Sequence, residues 1–322
     1  MPAANSRLRI WCNYDFEETL ARELRERTSS YQLTLAHSSV SAPAASAQVP
    51  DILLGQPDVD YLLSHTPRWT ELTSAGYTAY DRDDLRKVFR ARSSLLTNAS
   101  TVFDEACAQH LLAMIFALAR ELPRCLDNQR AGRVWLHDES RFGRRFLLNH
   151  QKVVIFGFGA IARRLVELLR PLGMQIVGVR RTPRGDEGIP IVHPNESNSH
   201  MADADHVIDI LPANDETAHF FDAARFGTCR KGARFYNIGR GTTVDQAALI
   251  AALRSGRLGA AYLDVTDPEP LPPDHPLWDA PNCFITPHIG GAHANEQARL
   301  LRHFLLNLAA FESGQPLSDR VI

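Results

Sequence analysis

The sequence predicts an α/β protein built on two doubly wound parallel sheets, with an active-site cleft between the two domains. Three observations carry this expectation. From Gln151 onward short apolar runs alternate with helix-compatible stretches, the order that lays parallel strands side by side through helical crossovers. A glycine loop, Gly157-Phe-Gly-Ala-Ile-Ala162, stands between one such run and the helix that follows it. Arg240, Glu269 and His288 each come just past a later run. If those runs are parallel strands, the three side chains gather along one carboxyl edge, where open sheets bind ligands. The pattern is that of Rossmann-like domains.

Taken in order, Leu8–Cys12 reads as a strand and Phe16–Arg27 as a charged surface helix. Tyr31–Ala36 and Asp51–Gly55 read as further strands, separated by a Ser-, Ala- and Pro-rich surface loop over Ser38–Pro50. Arg68–Ser74 runs into Ala75-Gly76 as a strand end and turn. Thr101–Glu121 reads as one long apolar helix, opened by Ser100 or Thr101 and stopped at Pro123, with the look of a buried connector. Leu126–His150 is irregular and basic. Lys152–Phe156, Gln175–Val179 and His206–Leu211 are strands, followed by the three that carry Arg240, Glu269 and His288. Asn295–Glu312 is an amphipathic helix able to return to the first domain. The division is therefore residues 1–100 with 293–322 as one domain and 101–292 as the other.

A net charge of −2 with 44% hydrophobic and 22% charged residues fits an ordinary globular protein and argues against nucleic acid or an anionic membrane as partner. The start, Met1–Ile10, has no long apolar core, and Ala106–Leu118, interrupted by Gln109 and His110, reads as too short to span a bilayer. Cys12, Cys107, Cys125, Cys229 and Cys283 are an odd, scattered set without CxxC spacing. That pattern favours free thiols in a reducing cytoplasm. His110, His206, His275 and His293 show no metal-ligand spacing, so no metal is expected and they default to structural or surface roles.

Gly157-x-Gly159-x-x-Ala162 lies where a dinucleotide loop must lie. The first glycine permits a tight turn and the second lets backbone approach a pyrophosphate. Helix amides from Ala160 and Ile161 onward then face the phosphates with the positive end of the helix dipole. After the second strand the chain reads Val179-Arg-Arg-Thr-Pro-Arg184, where an NAD site normally offers an acid to the ribose hydroxyl. Arg180 and Arg181 suit a 2′-phosphate instead, so the expected cofactor is NADP, with NAD still accepted if these arginines are only a solvated turn.

Gly157–Ala162, Leu211-Pro212 with Glu216-Thr217, Asn237-Ile-Gly-Arg-Gly241, Leu263-Asp-Val265 through Glu269-Pro270, and Pro287-His-Ile-Gly-Gly291 follow in order and spacing. On these motifs the chain resembles the D-2-hydroxyacid dehydrogenase family, nearest its glyoxylate/hydroxypyruvate reductase branch. The resemblance is motif-level over roughly residues 100–300 and only patterned before that. It implies that Arg240 binds the carboxylate and 2-oxygen of a small 2-oxo acid, which suits its planar fork. It implies His288 as the acid/base and Glu269 as the group that orients it and stabilises its imidazolium. Asp264 would contact the nicotinamide carboxamide, with the Ile238 backbone beside it, and Leu211-Pro212 would line the cofactor. The Ala75-Gly76 turn would offer amides to the substrate carboxylate from the substrate (catalytic) domain, 1–100 with 293–322. The D stereochemistry and a homodimer follow from the resemblance alone, and Trp135 and His137 are candidates to approach the site, from this subunit or a partner's. Glutamate at 269, where formate dehydrogenases have glutamine, favours 2-hydroxy acids. Rival expectations are a dinucleotide-sensing corepressor-like protein and a dehydrogenase of another small substrate such as phosphite.

Overall fold

The structure, a computed structural model, describes residues 7–44, 48–133, 135 and 145–322; Met1–Ser6 and His137 lie outside the described residues. The chain divides into two compact units, Met1–Phe103 with His293–Ile322, and Asp104–Ala292.

The first unit holds β1 (Arg9–Cys12), α1 (Glu18–Arg27), β2 (Gln32–Leu35), β3 (Ile52–Gly55), α2 (Val59–His65), β4 (Trp69–Leu72), α3 (Asp83–Ala91) and β5 (Leu95–Thr97), all from the N-terminal part. The strands form a five-stranded parallel sheet in the order β2-β1-β3-β4-β5. Its inner strands are buried on both faces, so they read as unbroken apolar runs: Ile52, Leu53 and Leu54 are all buried. Alternate residues feed different cores. Ile10, Ile52, Leu54 and Trp69 pack with Leu301, Phe304 and Leu308 of the C-terminal helix. Trp11, Leu53 and Leu72 pack with Leu62, Leu85 and Phe89 on the other face. Each of the three apolar side chains from the C-terminal helix contributes roughly 1.5–3 kcal/mol by burial.

The second unit follows α4 (Ser100–Ala119), which crosses the boundary, and α5 (Leu122–Gly132). It contains β6 (Lys152–Phe156), α6 (Ala160–Leu169), β7 (Gln175–Val179), β8 (Ile191–Val192), α7 (Ser197–Met201), β9 (His206–Asp209), α8 (Ala223–Thr228), β10 (Ala233–Asn237), α9 (Gln246–Arg254), β11 (Leu258–Leu263) and β12 (Cys283–Ile285). The seven strands are parallel in the order β12-β11-β10-β9-β6-β7-β8. Strand order reverses at β6, flanked by β7 and β9, and such a switch point opens a crevice beyond the strand ends. The last helix, α10 (Glu296–Glu312), belongs to the first unit.

Four local expectations are corrected. Pro123 does not end the helical region: it sits in the first turn of α5, where its missing amide is no loss. The break falls instead at Glu121, whose φ of 55° leaves the helical region. The apolar segment is not limited to Ala106–Leu118: the whole of α4, twenty residues, is by length and composition able to cross a membrane. Here one side of it is packed, with Cys107, Ala108, Leu111, Ile115 and Leu118 buried. It is not buried all round, since Phe116 is 39% exposed. Its opening is held by other residues' side chains: Ser100 donates to Asn98 Oδ1, and the amide and hydroxyl of Thr101 donate to Asp319.

Candidate active site

Because all seven strands of the second unit are parallel, the turns after β6, β7, β9, β10, β11 and β12 open on one edge. Gly157, Arg180, Leu211, Arg240, Glu269 and His288 lie in or beyond those turns. Two glycines make the close packing possible. Gly157 has φ 88°, and a Cβ on it would stand 2.5 Å from the Ile210 carbonyl oxygen. At Gly239 a Cβ would meet the Leu211 carbonyl at 2.6 Å. The turns after β6, β9 and β10 therefore touch backbone to backbone, which no side chain would permit.

Gly159 differs: a Cβ there would meet no protein atom within 4 Å. The space above it is open, Gly159 provides no side-chain cap to α6, and the unmatched amides of the first helical turn are donors suited to an anion. Ala162, at the third position of the motif, is fully buried, as close helix–strand packing requires. These residues fit a dinucleotide pyrophosphate, with the amides of Ala160 and Ile161 at the helix start.

The arginines after β7 have different surroundings. Arg180 is mostly buried and lies 3.4 Å from Glu187, a buried acid that also accepts from the amides of Arg184 and Gly185. This carboxylate folds back from seven residues beyond Arg180, outside the Val179–Arg184 segment where motif spacing looks for an acid. Its backbone hydrogen bonds to Arg184, with those to Gly185, outweigh burial and hold it below the usual carboxylate range. Arg181 is two-thirds exposed and paired with Glu216, which follows β9.

His288 stands on a turn with φ 53°, a sparsely populated region for a residue with a side chain. Its amide donates to the carbonyls of Asp264 (2.8 Å) and Thr286 (3.0 Å). Its Nδ1 lies 2.8 Å from Glu269 Oε2, while Oε1 of the same carboxylate accepts from the Thr266 amide at 3.0 Å. An ionised carboxylate only accepts, so Nδ1 carries the proton and Nε2 is the nitrogen left to exchange one. Arg240, half-buried, donates from one guanidinium nitrogen to the Gly239 carbonyl at 2.7 Å.

Asp264 is 1% exposed, and its carboxylate is engaged by the His288 turn. It accepts from Thr286 Oγ1 (2.6 Å) and from the amides of Ile289 (3.0 Å) and Gly290 (2.8 Å). A Cβ on Gly290 would lie 2.7 Å from that carboxylate and 2.6 Å from Ile238 Cδ1. Behind Thr286 stand Tyr262 Oη at 2.5 Å and His110 Nε2 at 3.3 Å, and His110 also hydrogen-bonds Tyr262. His110, assigned a default structural role from sequence, is thus two hydrogen bonds from the turn that carries His288. No spacing in the sequence could signal a contact between residues 152 positions apart.

Ala75 and Gly76 belong to the other unit, past β4. Their carbonyls accept from Asn98 Nδ2 and Ser74 Oγ, both at 2.7 Å. Among the described residues no group of three or more His, Cys, Asp or Glu side chains could hold a metal. The five cysteines are free; burial pushes the Cys12 thiol up to about 11 and those of Cys107, Cys229 and Cys283 up to about 12.

A parallel α/β sheet with a glycine loop at its switch point and a His–Glu pair on the same edge defines a dinucleotide-dependent oxidoreductase class. The family model described as D-isomer specific 2-hydroxyacid dehydrogenase, NAD binding domain, matches residues 112–290. The chain is 34% identical over 285 residues to glyoxylate/hydroxypyruvate reductase B of Klebsiella pneumoniae subsp. pneumoniae, covering 85% of this chain and 86% of that protein. It is 36% identical over 190 residues to an uncharacterized protein in the proB 3′ region of Corynebacterium melassecola, 58% of each. In structure it is similar to a D-isomer specific 2-hydroxyacid dehydrogenase from Xanthobacter autotrophicus Py2 in complex with NADPH and MES, with TM-score 0.81, 26% identity and 98% of each chain covered. The chain belongs to the D-isomer specific 2-hydroxyacid dehydrogenase family and is an NAD(P)-dependent oxidoreductase.

Proposed function

We propose that the protein reduces a small 2-oxo acid, of the size of glyoxylate or hydroxypyruvate, to its D-2-hydroxy acid with NADPH. The observation that carries this is the 2.8 Å contact between His288 Nδ1 and Glu269 on the edge that also bears Arg240. When bound, the nicotinamide supplies a hydride to the 2-carbon. His288 Nε2 gives its proton to the oxygen that becomes the hydroxyl, so 2-oxo acid, hydride and proton balance to hydroxy acid. Glu269 keeps Nδ1 protonated and the ring oriented while positive charge is present on it. Arg240 pairs with the substrate carboxylate and polarises the 2-oxygen. Asp264 acts by clamping the turn of His288.

The first unit would be the substrate domain and the second the dinucleotide domain. Because the Ala75 and Gly76 carbonyls are already tied down, their amides are the groups to offer a carboxylate. For the cofactor's 2′-phosphate, Arg181 is the better placed of the pair, since Arg180 already faces a buried acid. The relative in complex with NADPH supports NADP over NAD. A homodimer is supported by exposed apolar side chains at Phe116, Leu122, Leu126, Trp135 and Leu147, and a reducing cytoplasmic setting by the free thiols.

The test is mutational. His288→Ala should lower kcat by about 10²–10⁴-fold with cofactor affinity nearly unchanged. Arg240→Ala should raise KM for the 2-oxo acid as well as lower kcat. Near-normal turnover in either variant refutes the assignment.

A further inference from the structure

Asp209, the last residue of β9, is fully buried, as are Thr243 and Asn237 around it. Its Oδ1 accepts from the Leu211 amide at 2.9 Å. Its Oδ2 lies 2.5 Å from Thr243 Oγ1, and that same hydroxyl lies 2.6 Å from the Arg240 carbonyl oxygen. The Arg240 carbonyl also accepts from Asn237 Nδ2 at 2.9 Å, whose Oδ1 accepts from the Gly239 amide at 2.9 Å. One acid thus ties the turn of Leu211 to the turn of Arg240 from beneath.

The protons decide its state. A threonine hydroxyl has one proton to donate, and a carbonyl oxygen can only accept. If Asp209 were ionised, the hydroxyl would stand within 2.6 Å of two acceptors and could satisfy only one. If Asp209 is a carboxylic acid, it donates to Thr243 Oγ1, Thr243 donates to the Arg240 carbonyl, and every short contact has its proton. Burial disfavours the charge in the same direction. Acting against it are only the Thr243 hydroxyl and the Leu211 amide; no neighbouring charge on β6, β10 or segment 241–244 contributes.

We propose that Asp209 is held as a neutral carboxylic acid that fixes the Arg240 turn, and that its ionisation loosens the grip of that turn on the substrate. Asp209 is a positioning residue, two hydrogen bonds behind Arg240. The second half of the proposal rests on the reading of Arg240 as the carboxylate binder; the first half does not.

The experiment has two readouts on the full-length protein. Infrared difference spectra between native protein and Asp209→Asn should show a protonated carboxyl stretch at about pH 6 that is gone by about pH 9. A carboxylate signal alone at the lower pH overturns the proposal, whatever the enzyme does. In assays, KM for the 2-oxo acid should rise several-fold across that range in native protein. It should stay flat in Asp209→Asn, whose amide keeps both the donor and the acceptor, while the pH profile of kcat stays in place. A KM that varies equally in both proteins overturns the link to Arg240. Thr243→Ser should behave as native, and Thr243→Val should raise KM at every pH; equal KM values in these two variants also overturn it. Absence of turnover in native protein would refute the function above while the infrared arm still decides the state of Asp209.

Discussion

Under the five-stranded sheet, two acids share one imidazole, whereas at the edge of the seven-stranded sheet Asp209 meets only an amide and a hydroxyl. In the first unit, His303 Nδ1 lies 3.1 Å from Glu71 and Nε2 lies 3.2 Å from Asp319. Asn307 Nδ2 and Thr97 Oγ1 complete Glu71, and Thr101 completes Asp319. Burial alone would lower His303, but the Asp319 and Glu71 carboxylates beside its two ring nitrogens outweigh it and raise the imidazole to about 9. Burial would raise Asp319, yet His303 and Thr101 bring it below its ordinary value. Opposite charges held at 3.1 and 3.2 Å fasten the C-terminal segment to the sheet. An acid with no counter-charge keeps its proton instead, with burial pushing Asp209 from 3.8 up to about 7. Buried ionisable groups therefore serve opposite ends here: compensated, they hold the fold; uncompensated, they leave a switchable group beside the site.

The largest effect should come from removal of the shared imidazole. His303→Ala leaves the buried Glu71 carboxylate and the half-buried Asp319 without their cation and should lower unfolding stability by about 3–5 kcal/mol, measured by urea titration. Activity per folded molecule should hardly change at low temperature. A loss below about 1 kcal/mol would mean that water or rearrangement replaces the imidazole.

Next in size is the pH dependence of stability. A raised folded value for His303 means its contribution is whole below 6.5 and is lost as pH rises through about 9. Stability in that window should fall by on the order of 2 kcal/mol in native protein and stay level in His303→Ala. Asp209 acts at lower pH. The folded acid retains a proton that the unfolded chain has released, so its contribution is present below 3.8 and is lost as pH rises toward about 7. Asp209→Asn should therefore gain on native protein by up to about 1.4 kcal/mol per pH unit in that window.

The smallest effect concerns an exposed pair. Arg181 and Glu216 are both about two-thirds exposed, and such pairs contribute about 0–1 kcal/mol to folding. Arg181→Ala should leave stability unchanged but weaken NADPH binding about tenfold or more, with NADH little affected. Equal losses for both cofactors, by fluorescence titration, would remove Arg181 from the 2′-phosphate.

What the sequence revealed and what it concealed divide along physical lines. Buried parallel strands are apolar on both faces, so β3, β6 and β7 stand out as runs, and the glycine loop announces itself by position. Arg240, Glu269 and His288 were legible because parallel strands bring their ends to one edge. The short helices α2 and α3 carry few buried side chains and went unnoticed, and α5 was hidden by a proline that opens it. The contacts that fix the site's geometry were invisible for another reason. His110 meets Tyr262, Glu71 meets His303 across 232 residues, and Asp209 meets Thr243 only after the sheets have formed. In a linear reading Asp209 is a lone polar residue within the run His206–Leu211, and nothing there marks it as fully buried.

We propose that the His288–Glu269 edge reduces 2-oxo acids. Its most direct test is the initial rate of NADPH oxidation by native protein and by His288→Ala, with glyoxylate, hydroxypyruvate and phenylpyruvate in turn. Native protein should turn over at least one of these acids, and His288→Ala should nearly abolish that turnover while NADPH still binds. NADPH binding without turnover on any of the three, or turnover that survives the loss of His288, would contradict it.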